Sequence, residues 1–128
     1  MKTEEKLNMT MLCDFYELTM ANGYFQTGLA DRICYFDVFY RSVPDKGGFA
    51  LAAGLAQVVE YIQELHFDEE DLGYLRSKGC FSEEFLDFLR DFRFTGDIWA
   101  VPEGTPIFPG EPILTVRAPA IQAQFIET

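Results

Sequence analysis

Residues Asp14-Phe15-Tyr16-Glu17-Leu18-Thr19-Met20 form the stretch whose types and spacing say most about chemistry. A flat aromatic such as Tyr16 can stack offset on a planar ligand ring, contributing ~1 kcal/mol beyond area burial. From the pattern alone, a tyrosine packed in the core with its hydroxyl at the rim is the better reading. Asp14 suits a helix N-cap, and Glu17 three residues on completes a capping-box-like spacing. Arg41 closes an alternating segment four residues after Asp37, on the same strand face. It can pair with Asp37 at the sheet margin or grip a phosphate bidentately. Gly47-Gly48 ahead of a helix suggests a phosphate loop. Neither Gly-Lys-Ser/Thr nor G-x-G-x-x-G follows, so a tight turn with close backbone approach is the better reading. The single histidine, His66, fits a helix end. Asp68 to Asp71 and Glu83-Glu84 sit where first helical turns favour acids, as solvated caps. No metal-ligand spacing occurs.

The elements that must position these residues can be read from periodicity. A helix beginning at Asp14 places Phe15, Leu18, Ala21 and Phe25 on one stripe and Tyr16, Met20 and Tyr24 on a second. A helix apolar on two faces expects two partners. Thr27-Gly28 gives its stop. Residues 32 to 41 alternate as a strand, and Pro44 through Gly48 read as a loop. Leu51, Leu55, Val58, Val59, Ile62 and Leu65 trace a helix whose Ala-rich first turns permit close packing. Asp68 and Ser82 cap two short helices, the second with Phe85, Phe88, Leu89 and Phe92 inward. From Ile98, dense Pro and Gly predict a small β unit with tight turns. The final residues, Gln124 to Thr128, read as a helix still rising. The fold class is α+β in a single domain, residues 1–128, with no repeat or linker.

Composition bounds the function classes. The 128 residues are 48% hydrophobic, with thirteen Phe to dominate one core. The formal net charge of −11 disfavours a nucleic-acid partner. No apolar run is long enough to span a bilayer, and Lys2, Glu4, Glu5 and Lys6 lack a signal-peptide pattern, which predicts no membrane partner. Cys13, Cys34 and Cys80 are widely spaced and odd in number, as expected of reduced thiols in a cytoplasmic protein.

The Asp14–Met20 run closely resembles the N-terminal signature of nicotinate phosphoribosyltransferases, and the similarity continues in order along the chain. It includes Phe36-Asp37-Val38-Phe39-Tyr40-Arg41, Gly47-Gly48-Phe49-Ala50 with Ala52-Ala53-Gly54-Leu55, and Phe81 to Leu86. Asp91 to Asp97, Val101-Pro102-Glu103-Gly104-Thr105, Glu111 to Leu114 and Gln124-Phe125-Ile126-Glu127-Thr128 follow. Departures are mild: Cys13 for Thr, Phe15 for Leu, and Pro44-Asp45-Lys46 ahead of the glycines.

The resemblance implies the N-terminal domain of a longer enzyme, normally followed by an α/β barrel that carries the phosphoribosyl site and a phosphorylated histidine. It implies joining of nicotinate to phosphoribosyl pyrophosphate, coupled to ATP hydrolysis with Mg2+, for NAD synthesis, by a homodimer with shared active sites. Tyr16 is then expected to stack on nicotinate, Arg41 to reach toward phosphates, and Asp14 to support Tyr16 from behind. Catalytic residues are expected outside this chain, which alone should be inactive. A nicotinamide or quinolinate phosphoribosyltransferase is the nearest alternative. A lipoyl- or biotinyl-type carrier, suggested by the strand rhythm from Val101 to Val116, needs a lysine at a hairpin tip, and none occurs after Lys78.

Overall fold

Leu72, Leu75, Phe85, Leu86 and Leu89 have no exposed surface, and around them the helices gather. The computed structural model describes residues 7–43 and 47–128. The charged N-terminal residues Lys2 to Lys6 and the Pro44–Lys46 part of the expected loop lie outside the described residues.

Among the described residues the elements follow in order: α1 (Phe15–Thr27), β1 (Ile33–Val38), β2 (Ala50–Leu51), α2 (Leu55–Glu64), α3 (Glu69–Ser77), α4 (Glu83–Arg90), β3 (Asp97–Ala100), β4 (Pro106–Ile107), β5 (Leu114–Pro119) and α5 (Ala120–Phe125). This is the expected α+β arrangement. β5 lies between β1 and β3 in an antiparallel sheet, with Phe36 opposite Val116 and Ile98 opposite the same residue. β2 and β4 pair separately, Ala50 with Ile107 and Leu51 with Pro106. Pro106 is tolerated because β4 has only one neighbour.

Several local predictions hold for the stated reasons. α1 ends in a Schellman motif: Gly28 takes φ 73°, Leu29 N–H donates to Tyr24 O at 2.9 Å, and Gly28 N–H to Phe25 O. Asp68 and Asp71 form a reciprocal capping box at α3, with Asp71 N–H donating to Asp68 Oδ1 at 2.9 Å. The Ser82 hydroxyl accepts from Phe85 N–H at 3.2 Å. α5 joins the two cores. Its Ile121 and Phe125 enter the helical core, while Ala123 packs with Val116 and Ala118 on the sheet. Phe67, Phe92 and Phe125 meet edge to face at centroid distances of 5.1 to 5.8 Å, the preferred geometry for aromatic clusters.

Other expectations are corrected. The helix predicted from Leu51 begins only at Leu55, because Leu51 pairs in β2 and Gly54, the N-cap, sits at φ 97°. Val58 and Val59 are more than a third exposed, and Ile62 alone of α2 is buried. The strand predicted over 32–41 is regular only to Val38; Tyr40 turns its hydroxyl onto Ile107 O at 2.7 Å. Asp14 is the N-cap of α1 by position, yet its side chain makes no capping bond, and Glu17 is buried instead of closing a capping box. Helix α5 closes at Phe125, with Glu127 and Thr128 turned against α1. The close approach expected at Gly47-Gly48 is not found at Gly48, where an added Cβ would meet nothing within 4 Å. It occurs at Gly96, whose Cβ would lie 2.6 Å from Ala118 Cβ.

Candidate functional site

The two stripes of α1 face different surroundings. Leu18 and Ala21 are buried in the core, as the pattern predicts. Phe15, assigned to the same stripe, is 46% exposed and lies outward beside Tyr16 and Met20. It keeps one edge on Phe81, 5.9 Å between centroids. The helix thus presents an outward apolar row, Phe15, Tyr16 and Met20, each more than 40% exposed among the described residues.

Tyr16 is anchored by its hydroxyl, which donates to Glu127 Oε1 at 2.7 Å. Glu127 in turn accepts from Gln124 Nε2, and Gln124 Oε1 accepts from the Tyr24 hydroxyl at 3.3 Å. Both tyrosines of the second stripe are therefore tied to the end of α5. The hydrogen bond to Glu127, then partial burial and nearby carboxylates, push the Tyr16 phenol up to about 12. The phenol stays neutral under ordinary conditions, leaving its face for stacking and its oxygen for orientation. Beneath it, Glu17 Oε1 accepts from the Thr128 hydroxyl. The contacts from α1 link positions 100 to 111 residues apart, so no local signal could reveal them. The hint was only that Glu17 shares a helical stripe with Ala21, four residues on.

Arg41 and Asp14 are placed less closely. Arg41 lies at a bend beyond the end of β1 and is exposed. Asp37, its expected partner, accepts instead from the Thr115 hydroxyl at 2.6 Å. Asp14 is exposed, two residues before Tyr16, and its carbonyl accepts from Glu17 N–H. The structure does not bring Arg41 onto the Tyr16–Glu127 contact among the bonds it shows.

Residues 126–128 separate two grooves. One, of about 520 Å3, lies among β1, residues 50–55, α2 and the β3–β5 connections, with Glu127 and Thr128 at its rim. Its described lining holds no Lys, Arg or His. The other, about 920 Å3, runs between residues 7–12 and α2 and includes His66 and Arg93. His66 Nδ1 is 2.6 Å from Glu64 O, and its backbone N–H donates to the Thr10 hydroxyl at 3.1 Å. It is a helix-end residue, as expected.

Described cations serve as struts. Arg76 grips Glu83 bidentately at 2.8 Å, Arg90 bridges Glu69 and Asp87, Arg117 meets Asp97 at 3.0 Å, and Lys78 lies over the Tyr74 ring. Among the described residues, no group of three or more His, Cys, Asp or Glu is placed to hold a metal ion. No described helix is long and apolar enough to cross a membrane. Glu103, marked in the sequence only as part of the Val101–Thr105 motif and without a role, closes the start of α2 by accepting from Gly54 N–H at 3.1 Å and Ala56 N–H at 3.3 Å.

Comparison with known proteins bears on this arrangement. The family described as nicotinate phosphoribosyltransferase (NAPRTase) N-terminal domain matches residues 11–128. A nicotinate phosphoribosyltransferase of Mycobacterium tuberculosis is 48% identical over 92% of the chain, and that of Bacillus subtilis 36% over 94%. The crystal structure of human nicotinic acid phosphoribosyltransferase superposes with a TM-score of 0.82 at 35% identity, covering 90% of this chain and 24% of that one. The chain spans about a quarter of the length of the relatives it matches. With a match over nearly all of its residues, the chain belongs to the nicotinate phosphoribosyltransferase N-terminal domain family.

Proposed function

We propose that this chain is the N-terminal part of an enzyme that joins nicotinate to 5-phosphoribosyl pyrophosphate, giving nicotinate mononucleotide and pyrophosphate for NAD biosynthesis. The observation that carries this reading is 48% identity over 92% of the chain to a protein of that name. The half-exposed, hydroxyl-anchored ring of Tyr16 is consistent with it.

In this reading Tyr16 stacks on the pyridine ring and fixes its plane, so that the ring nitrogen faces the ribose carbon it attacks as pyrophosphate leaves. Holding a near-attack geometry of this kind is the main contribution a binding domain can make. Arg41 extends toward phosphate from the bend after β1, and Asp14 flanks the helix start. The outward row Phe15, Tyr16 and Met20 meets a second subunit in a homodimer whose active sites are shared. ATP hydrolysis, Mg2+ and the catalytic histidine belong to an α/β barrel in the remainder of the enzyme. The described residues do not gather a metal-ligand set. The chain alone then makes no product. A cytoplasmic location accompanies this role.

Product formation by the full-length enzyme with nicotinate, nicotinamide and quinolinate in turn tests the proposal. Turnover of nicotinate is expected. Turnover confined to nicotinamide or quinolinate overturns the substrate assignment, and transfer by the 128-residue chain alone overturns the division of labour.

A further inference from the structure

A fully buried carboxyl with one unsatisfied oxygen adjoins Tyr16 in sequence. Glu17 has no exposed surface. Its Oε1 accepts from the Thr128 hydroxyl, and its Oε2 is buried without a hydrogen-bond partner. A carboxylate left there would be a buried charge with an unpaired oxygen, a far costlier state than a neutral acid with one unpaired oxygen.

Two carboxylates oppose ionisation of Glu17: Asp14 just before α1 and Glu127 beyond the end of α5. The Cys13 thiol, hydrogen-bonded to Glu17, and the Tyr61 phenol of α2 are neutral neighbours whose own ionisation Glu17 disfavours. Asp71 of α3 acts on Cys13 beside it. The groups acting most strongly on Glu17 include no cation. Burial first, then the Glu127 and Asp14 carboxylates, push its pKa up against the opposing Thr128 hydrogen bonds. Burial and Glu17 together likewise push Cys13 up to about 11.

We propose that Glu17 is held in the folded chain as an uncharged carboxylic acid, and that in this form it keeps residues 127 and 128 against α1 and so positions Tyr16 through Glu127. The two ties are parallel: neighbouring residues 16 and 17 of one helix hold neighbouring residues 127 and 128. An ionised Glu17 would set a second negative charge beside Glu127, which repels the Glu127 carboxylate that holds Tyr16. Glu17 is thus a positioning residue, acting through Thr128 and Glu127 on the ring. Its bearing on pyridine binding rests on the function proposed above; its protonation and its hold on Tyr16 do not, and both can be read without substrate.

Infrared spectra of the 128-residue chain labelled with 13C-glutamate test the first part at neutral pH. A protonated-carboxyl band is expected in the wild type and absent in Glu17→Gln; a wild type without the band overturns the proposal. The tyrosine Raman doublet, which reports hydrogen-bond donation by a phenol, tests the second part as a difference against Tyr16→Phe. Donation by Tyr16 is expected in the wild type and in Glu17→Gln, and lost in Glu17→Ala. Should Glu17→Ala not fold, Thr128→Val removes the hydroxyl part of the tie and is expected to diminish the donation. Undiminished donation in whichever variant folds refutes the positioning role, as does a wild type whose Tyr16 donates to nothing.

Discussion

Glu103 closes helix α2 from 49 positions away, its Oε1 accepting from the Gly54 backbone N–H at 3.1 Å and serving Ala56 as well. Gly54 has no side chain to cap with, so the carboxylate of the β3–β4 loop replaces a local cap and answers the helix dipole. Backbone bonds beside it, Gly104 N–H to Ala52 O at 2.7 Å and Ala52 N–H to Thr105 O at 2.9 Å, hold the loop in place. Glu103→Ala is expected to cost ~1 kcal/mol in denaturant unfolding, with Glu103→Gln retaining most of it. Equal stability of Glu103→Ala and wild type would remove the cap.

Gly96 and Gly48 predict opposite outcomes for the same change. A Cβ at Gly96 would stand 2.6 Å from Ala118 Cβ and 2.7 Å from Arg117 O. Because Arg117 O is backbone of the central strand, it cannot move aside without disturbing the sheet. Gly96→Ala should therefore destabilise by about 1–3 kcal/mol, as overpacking does. Gly48→Ala, in open space, should leave the unfolding midpoint nearly unchanged.

The outward row Phe15, Tyr16 and Met20, each more than 40% exposed, predicts self-association of the isolated chain. Sedimentation across micromolar concentrations should show species larger than a monomer. A charged substitution, Met20→Lys, should shift that distribution toward monomer; a monomer in the wild type that binds no hydrophobic dye sinks the idea.

Tyr16→Ala in the full-length enzyme should lower kcat/KM for nicotinate about tenfold or more, the equivalent of ~1–3 kcal/mol of lost stacking and orientation. Tyr16→Phe keeps the ring face and loses only the tie to Glu127, so its loss should be smaller. Steady-state kinetics decide; unaltered values in Tyr16→Ala would take the residue out of the site.

The α3 capping box carries two pH dependences of opposite sign. The Asp71 backbone N–H above all, helped by Asn8, holds Asp68 below the ordinary aspartate range. Its contribution to stability is present above the unfolded-state value and is lost as pH falls through the lowered one. Burial first raises Asp71, which destabilises progressively as pH rises from the unfolded-state value through the raised one. Relative to wild type, Asp68→Asn should flatten the acid limb of an unfolding-midpoint profile. Asp71→Asn should flatten the decline just above the ordinary aspartate value.

Much of this architecture was written locally. Gly28 stops α1 because only glycine accepts φ 73° there cheaply, and Asp68 and Ser82 start their helices through side chains three residues from their targets. Phe85, Leu89 and Phe92 face inward at helical spacing, as periodicity requires. The family resemblance was likewise legible, because ordered motifs survive in sequence whatever their contacts. Tertiary structure alone decided the rest, where partners lie far apart in the chain. Leu51 joined β2 because Pro106 was there to pair with it, overriding a helical period that has no knowledge of distant strands. Glu17 left its capping box because Thr128 offered a bond within the α1–α5 junction, and Arg41 lost Asp37 because the strand ended at Val38 and Thr115 stood opposite. Short-range propensities are settled by a few neighbouring dihedrals; these choices depend on which surfaces meet once the whole chain has folded.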